Sequence, residues 1–393
     1  MRNRGAGGIK CSNRVAPVNS ATYAFSSASP IRSTSRYKRG LIPRATSAKI
    51  GGMSIPEPPV APAPEWLAHR YDPGIDAFQF VSAPRDVRNR VPFLTDEHLG
   101  SSGAPVVIPR GRCDRSAAAG RINFIFHSAY CCSTLLANAY DRPGRAFSLK
   151  EPMLLNDLVG WRHRGGDPRQ ILAVLGDGLA MLARPFAAGE ACVIKPSNIV
   201  NGLTTAMLAA RPEAGAVLLY APLEPYLGSI ASKRLWGRLW VRELLASFLK
   251  EGLVDMGLDA EAIFRLSDLQ VAAVGWLAQH ALFAKLAQRW PERVRTLDSE
   301  VLLARPHPAL AAIDALFGLT ATDDERDGIV QSVFRQHAKF GGAFDAEARK
   351  ADQQSASALH AEEIAMVLGW AAKVAEGAGI ALTLPGALLP PSA

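Results

Sequence analysis

The chain has 393 residues, 48% of them hydrophobic, enough to build a sizeable core and to exclude a disordered protein as a whole. Its formal charge of +8 suggests a nucleic-acid binder. However, ten of the 44 basic residues lie in residues 1–52, which hold no acid, so the other 34 face all 36 acidic residues and nucleic-acid recognition is not expected of the rest.

In chain order, residues 1–52 are rich in Arg, Ser and Ala, show no sustained periodicity and are expected to be disordered. Their composition is compatible with a targeting segment, with translated sequence upstream of Met53, or with a basic interaction tail. Residues 53–393 are expected to form a single domain, with 53–120 as an N-terminal cap. A Pro-rich linker over 56–64 leads to Trp66 and a strand over 78–81, then to short elements at 93–96 and 106–108.

A strand-favouring run over 122–126, with only Asn123 against type, enters a compact loop, His127-Ser-Ala-Tyr-Cys-Cys132, and a helix beginning Ser133-Thr134-Leu-Leu. Such a loop turns backbone N–H groups toward one point and suits an anion, phosphate above all. An ordinary strand-to-helix turn capped by Ser or Thr has the same composition. Against the nucleoside-triphosphate pattern G-x-x-x-x-G-K-[ST], His127 and Cys132 replace the glycines, Ser133 replaces the lysine, and only Thr134 remains. Further strands are expected over 145–149, 191–195, 216–220 and 294–297. Helices are expected over 168–186, 201–210, 225–233, 235–251, 259–290, 307–317, 323–336 and 357–376. Short apolar strands separated by helices define an α/β fold. The expectation is a P-loop three-layer sandwich with a mostly parallel central sheet and a helix-rich C-terminal part.

With the strand ends in view, the segment 121–229 resembles the sulfotransferase superfamily, whose 5′-phosphosulfate loop runs approximately G-S-P-R-S-G-T-T-L-L. The chain keeps Ser128, Thr134, Leu135 and Leu136, has Ser133 as a conservative change, and places Tyr130 where that family has Arg or Lys. Leu149-Lys150-Glu151-Pro152 then looks like the strand end carrying the family's catalytic base, and Lys195-Pro-Ser197 resembles its lysine loop. Ala221-Pro…Ser229 resembles the segment that grips a nucleotide 3′-phosphate, with Ala221 in place of Arg and Lys233 one turn beyond Ser229. Arg335, His337 and Lys339 before Gly341-Gly342 lie where the family closes a basic loop. No G-x-x-G-x-W closing motif is present.

What the resemblance implies is sulfuryl transfer from the co-substrate 3′-phosphoadenylyl sulfate to a hydroxyl or amine of a small-molecule or glycan acceptor, with no metal. Glu151 and Lys195 take catalytic roles. His127, Ser128, Ala129, Tyr130, Cys131, Cys132, Ser133, Thr134, Ser229 and Lys339 bind the donor. A P-loop module that binds nucleotide without catalysis, or a kinase or nucleotidase using ATP and Mg²⁺, are the competing readings. From the residues alone, Glu151 also reads as a solvated loop carboxylate, and Lys195 as a chain emerging into water.

The five cysteines, Cys11, Cys113, Cys131, Cys132 and Cys192, form an odd set without C-x-x-C, pointing away from disulfides or zinc and toward a reducing, cytoplasmic setting. A helix N-terminus is expected to lower the thiol pKa of Cys131 and Cys132. His69, His98, His163, His280, His307 and His360 lack metal spacing, and His280 falls on an apolar face with Trp276. The most apolar long stretches contain Lys285, and Lys373 and Glu376, so no membrane span is expected.

Overall fold

A computed structural model describes residues 62–100, 103–114, 120–335 and 359–389. The basic tail over 1–52 and the segment bearing His337 and Lys339 lie outside the described residues, which all belong to one compact unit, Glu57–Ala393.

The chain first forms an antiparallel sheet from β1 (Trp66–Asp72), β2 (Ala77–Ser82) and β3 (Val106–Pro109). The first of these strands was not expected, because His69 and Arg70 interrupt its apolar run. A bulge between Ala68 and Arg70 accommodates the interruption. Between β2 and β3 lie α1 (Arg85–Arg90) and α2 (Asp96–Leu99), so the element expected over 93–96 is a strap that becomes helical only at Asp96.

The second sheet is built from β4 (Ile122–His127), β5 (Ala146–Lys150), β6 (Ala191–Lys195), β7 (Ala216–Tyr220) and β8 (Val294–Asp298). Its order is β5-β6-β4-β7-β8, with every pairing parallel. All six side chains of β4 are buried, as its central place requires. Asn123 is tolerated there because its amide donates to the Phe317 carbonyl at 3.2 Å and its Oδ1 accepts from Gly215 N–H at 3.0 Å.

Helices cover both faces. Alternate residues Phe124 and Phe126 pack with the layer containing α4 (Met153–His163), α5 (Pro168–Leu182) and α6 (Thr204–Ala210), while Ile125, Val193 and Val217 face the other. That other layer holds α3 (Ser133–Asn138), α7 (Leu223–Ser232), α8 (Arg234–Lys250) and much of α10 (Asp268–Arg289). Each fully buried Phe or Leu contributes about 2 kcal/mol of transfer free energy. The fold is thus an α/β three-layer sandwich with a parallel central sheet.

The single helix expected over 259–290 is two. After α9 (Ala260–Phe264) the chain breaks, and α10 restarts at a capping box in which Ser267 and Gln270 exchange side-chain and backbone hydrogen bonds. The helix α4 was missed, for its sequence carries little amphipathic contrast. The C-terminal part supplies α11 (Ser299–Ala304), α12 (Pro306–Phe317), α13 (Asp323–Ser332) and α14 (Ala361–Gly377). None of the helices among the described residues is long and apolar enough to cross a membrane.

Candidate functional site

The strand order reverses at β4: the chain leaves it for β5 on the far side of β6, returns to β6, then crosses to β7 on its other side. Loops diverging at such a point leave a crevice at the C-terminal ends of the strands. His127 and the following loop, Lys150-Glu151, and Lys195 all reach that edge.

The loop is bent by three left-handed residues, Ala129 at φ 71°, Tyr130 at φ 52° and Cys132 at φ 61°, none of them Gly. Each such conformation costs on the order of 1 kcal/mol and persists only where its surroundings enforce it. Those surroundings are visible. Ser128 N–H donates to Leu219 O at 3.1 Å, and Ser128 Oγ accepts from Ala221 N–H at 3.3 Å. Ala129 N–H donates to His127 Nδ1 at 3.1 Å, which leaves the ring proton on Nε2 to meet Pro196 O at 3.0 Å. Ser128 and Ala129 are therefore occupied in shaping the loop. Beyond them, Thr134 is buried, and its hydroxyl has no hydrogen-bond partner.

Glu151 and Lys195 are brought together. The Lys195 ammonium, fully buried, donates to Glu151 Oε1, and His127 Nε2 lies 3.9 Å from the same oxygen. Glu151 itself has φ 55°, and its N–H donates to the Lys195 carbonyl at 2.7 Å. The Glu151 side chain keeps 18% of its surface exposed. Lys150 stands opposite Lys195 in the ladder, buried, with its ammonium on Asn89 O at 3.0 Å and Asn138 Oδ1 at 3.1 Å. Burial, together with the neighbouring charge of Lys195, pushes Lys150 down to about 8.

Phe93 and Asn201, which carried no site expectation, and Tyr130, which did, complete the surroundings. Phe93, from the strap, places its ring centroid 5.0 Å from the Lys195 ammonium. Asn201 donates to His127 O at 3.1 Å and to Gln279 Oε1 at 3.0 Å, anchoring the base of the loop. Tyr130 packs edge-on against Trp240, with ring centroids 5.5 Å apart, and against Tyr226 at 6.1 Å. No pattern around residue 93 signals a site, because the strap's position depends on contacts distant in sequence.

Other expectations fare differently. The Ser229 hydroxyl donates to Pro225 O at 2.8 Å, one turn back along α7. Ala221 is fully buried. The thiol of Cys131 is not lowered: complete burial pushes it up to about 11, so desolvation overrides the short helix behind it. His280 is buried between Trp276, stacked at 3.6 Å, and Tyr220, and burial drives it down to about 3. Among the described residues no group of three or more His, Cys, Asp or Glu side chains is placed to hold a metal ion.

No protein-family model matches the sequence, and no curated protein matches it with significance. Among solved structures, the crystal structure of sulfotransferase STF9 from Mycobacterium avium is similar over 64% of this chain and 78% of that one, at 12% identity and a TM-score of 0.38. At that level the likeness assigns neither family nor activity.

Proposed function

We propose that the crevice carries out sulfuryl transfer from 3′-phosphoadenylyl sulfate to an acceptor hydroxyl or amine. The observation that carries this reading is the Glu151–Lys195 pair at two neighbouring strand ends, beside a strained loop containing an unpartnered buried hydroxyl at Thr134. A base and a cation that touch each other next to an anion-shaped loop are what transfer of an anionic group to a nucleophile requires.

The roles follow from each group's chemistry. Tyr130 to Thr134, with the Thr134 hydroxyl, hold the anionic end of the donor, since Ser128 and Ala129 are committed to the loop's own shape. The helix behind them has six residues, so its dipole contributes modestly and local amides do most of the binding. Lys195 has one ammonium to share between Glu151 and an arriving anion. When the anion takes it, Glu151 is released to accept the acceptor's proton. The acceptor oxygen or nitrogen then bonds to sulfur as the bond from sulfur to the donor's phosphate oxygen breaks. The proton ends on Glu151, and adenosine 3′,5′-bisphosphate leaves.

A second reading, nucleotide binding without transfer, is favoured by Tyr130, which stands where the resembled loop has Arg or Lys and packs its ring against Trp240 and Tyr226, so the transferring group meets one cation fewer. Calorimetric titration with adenosine 3′,5′-bisphosphate, with and without EDTA, followed by assay of Glu151→Gln, separates the two. Transfer predicts chelator-independent binding and turnover that is lost in the variant. Binding without turnover in the wild type supports the second reading, and no binding at millimolar ligand sinks both.

A further inference from the structure

His127 opens the loop where the resembled pattern has Gly, and its buried ring makes two bonds that Gly could not. Nδ1 accepts from Ala129 N–H at 3.1 Å, inside the loop, while Nε2–H donates to Pro196 O at 3.0 Å, in the segment that follows Lys195. The same Nε2 lies 3.9 Å from Glu151 Oε1. The main chain of His127 is held as well: its carbonyl accepts from Asn201 Nδ2 at 3.1 Å, and Asn201 also donates to Gln279 of α10 at 3.0 Å. One residue further, Ser128 Oγ accepts from Ala221 N–H at 3.3 Å. The end of β4 is therefore tied sideways to the ends of both neighbours, β6 through the His127 ring and β7 through Ser128.

We propose that His127 is a positioning residue, a brace that sets the anion loop and the Lys195–Glu151 pair at a fixed separation, so that one anion meets the loop amides and the Lys195 ammonium together. The inference rests on the sulfuryl-transfer reading and gives His127 a role other than touching the donor, since both ring nitrogens have partners within the protein. It also accounts for part of the loop's strain. Ala129 holds φ 71° without being Gly, and the bond from its N–H to Nδ1 is one that this conformation makes available. That bond requires a neutral ring with its proton on Nε2, because a protonated Nδ1 would face the Ala129 N–H donor to donor. Such a brace acts through geometry: misplacing a reacting group by about 1 Å costs as much as about 10²-fold, and a ring bonded at both nitrogens keeps the two segments from drifting apart.

The test uses the full chain with His127→Gln, whose amide reaches toward Pro196 O but leaves Ala129 N–H without an acceptor, and His127→Asn, whose Oδ1 stands near the place of Nδ1 but falls short of Pro196. Hydrogen exchange followed by NMR reads the loop arm. The Ala129 amide should exchange at least tenfold faster in His127→Gln and within threefold of the wild-type rate in His127→Asn, with the Ser128 amide, bonded to Leu219 O, unchanged in both as an internal reference. Long-range proton–nitrogen spectra at pH 8 should show His127 as the Nε2–H tautomer. Calorimetry with adenosine 3′,5′-bisphosphate reads the brace as a double-mutant cycle. Lys195→Met should weaken binding at least tenfold in the wild type but less than threefold in a His127→Ala background, or in His127→Asn should the smaller side chain fail to fold, because an ammonium out of register contributes little. Ala129 exchange unaltered in His127→Gln overturns the proposal, as does an Nδ1–H tautomer or a cycle in which the two effects simply multiply. Failure of the wild type to bind the bisphosphate is a different result: it retires the transfer reading, while the exchange rates and the tautomer still decide whether His127 holds the loop.

Discussion

Lys195 holds Glu151 from two directions: its carbonyl accepts the Glu151 N–H at 2.7 Å, and its ammonium donates to the carboxylate. The first bond fixes the left-handed backbone of Glu151, and the second parks its side chain. The two can be separated by mutation. Glu151→Gln keeps the backbone bond and the side-chain volume, so bisphosphate affinity should stay within threefold while transfer falls about 10²- to 10⁴-fold, the usual contribution of a general base. Turnover assays alongside calorimetry check this. Equal loss of binding and turnover would make Glu151 a structural residue.

Thr134 offers a test that separates stability from binding. Its buried hydroxyl has no partner in the free protein, so replacing it with the isosteric Val removes an unpaid desolvation cost. Thr134→Val should leave the melting temperature unchanged or slightly raised, yet weaken bisphosphate binding about tenfold, as loss of one hydrogen bond to a charged ligand does. A fall in both would mean the hydroxyl has a partner within the fold.

Lys150 should impose a rising stability with pH on the alkaline side. Its folded-state pKa is depressed to about 8 from 10.5, so between those values the unfolded chain binds more protons and stability increases with pH. Below about 8 the buried charge costs about 3 kcal/mol. Lys150→Met removes that cost but forfeits two hydrogen bonds from a charged donor, about 1.5 kcal/mol or more each. The two nearly cancel, so stability at pH 7 should change by less than about 1 kcal/mol while the slope between pH 8 and 10.5 flattens. Urea denaturation across that range measures both.

His280 acts at the acid end. Burial lowers it to about 3, so the unfolded state takes up a proton that the folded state refuses between about pH 6.5 and 3, and stability falls as the solution is acidified through that window. His280→Phe, which preserves a ring against Trp276, should be close to neutral at pH 7 and stabilising at pH 4. Thermal unfolding at the two pH values decides it.

The adjacent thiols should differ sharply in reactivity. Cys131 is fully buried and pushed up to about 11, whereas Cys132 is half-buried. Brief treatment of the native protein with iodoacetamide at pH 8 should label Cys132 and leave Cys131 untouched until denaturant is added. Mass spectrometry of the digested protein reads the outcome. Prior labelling of Cys131 would place the loop in another conformation.

How much of this could be read in advance depends on how locally each feature is encoded. The strands around Phe124, Val193 and Leu218 were legible because their buried faces require unbroken apolar runs, whatever happens elsewhere. Glu151 and Lys195 were legible as strand-end residues, but their contact was not, since it depends on β5 and β6 becoming neighbours after a helical excursion. Phe93 was invisible for the same reason, without any local pattern to compensate. At Cys131 a sound local rule failed: proximity to a helix start favours the thiolate, and burial outweighed it. The first strand was missed because the bulge beside His69 breaks alternation, and α4 because its apolar residues are not concentrated on one face.

The all-parallel pairing of the central sheet also bears on when this site comes into existence. Parallel neighbours cannot be joined by a tight turn, so Glu151 meets Lys195 across 44 positions of chain, and independently of the sheet Lys150 reaches back to Asn89 of α1 across 61. Contacts of such range are late rewards in folding, because loop closure precedes any stabilisation from them. A nascent chain that has not yet delivered residue 195 has a carboxylate but no cation to hold it. Competence for ligand would then be among the last properties the polypeptide acquires, and recovery of bisphosphate binding after denaturation would report completion of the sheet rather than collapse of the core.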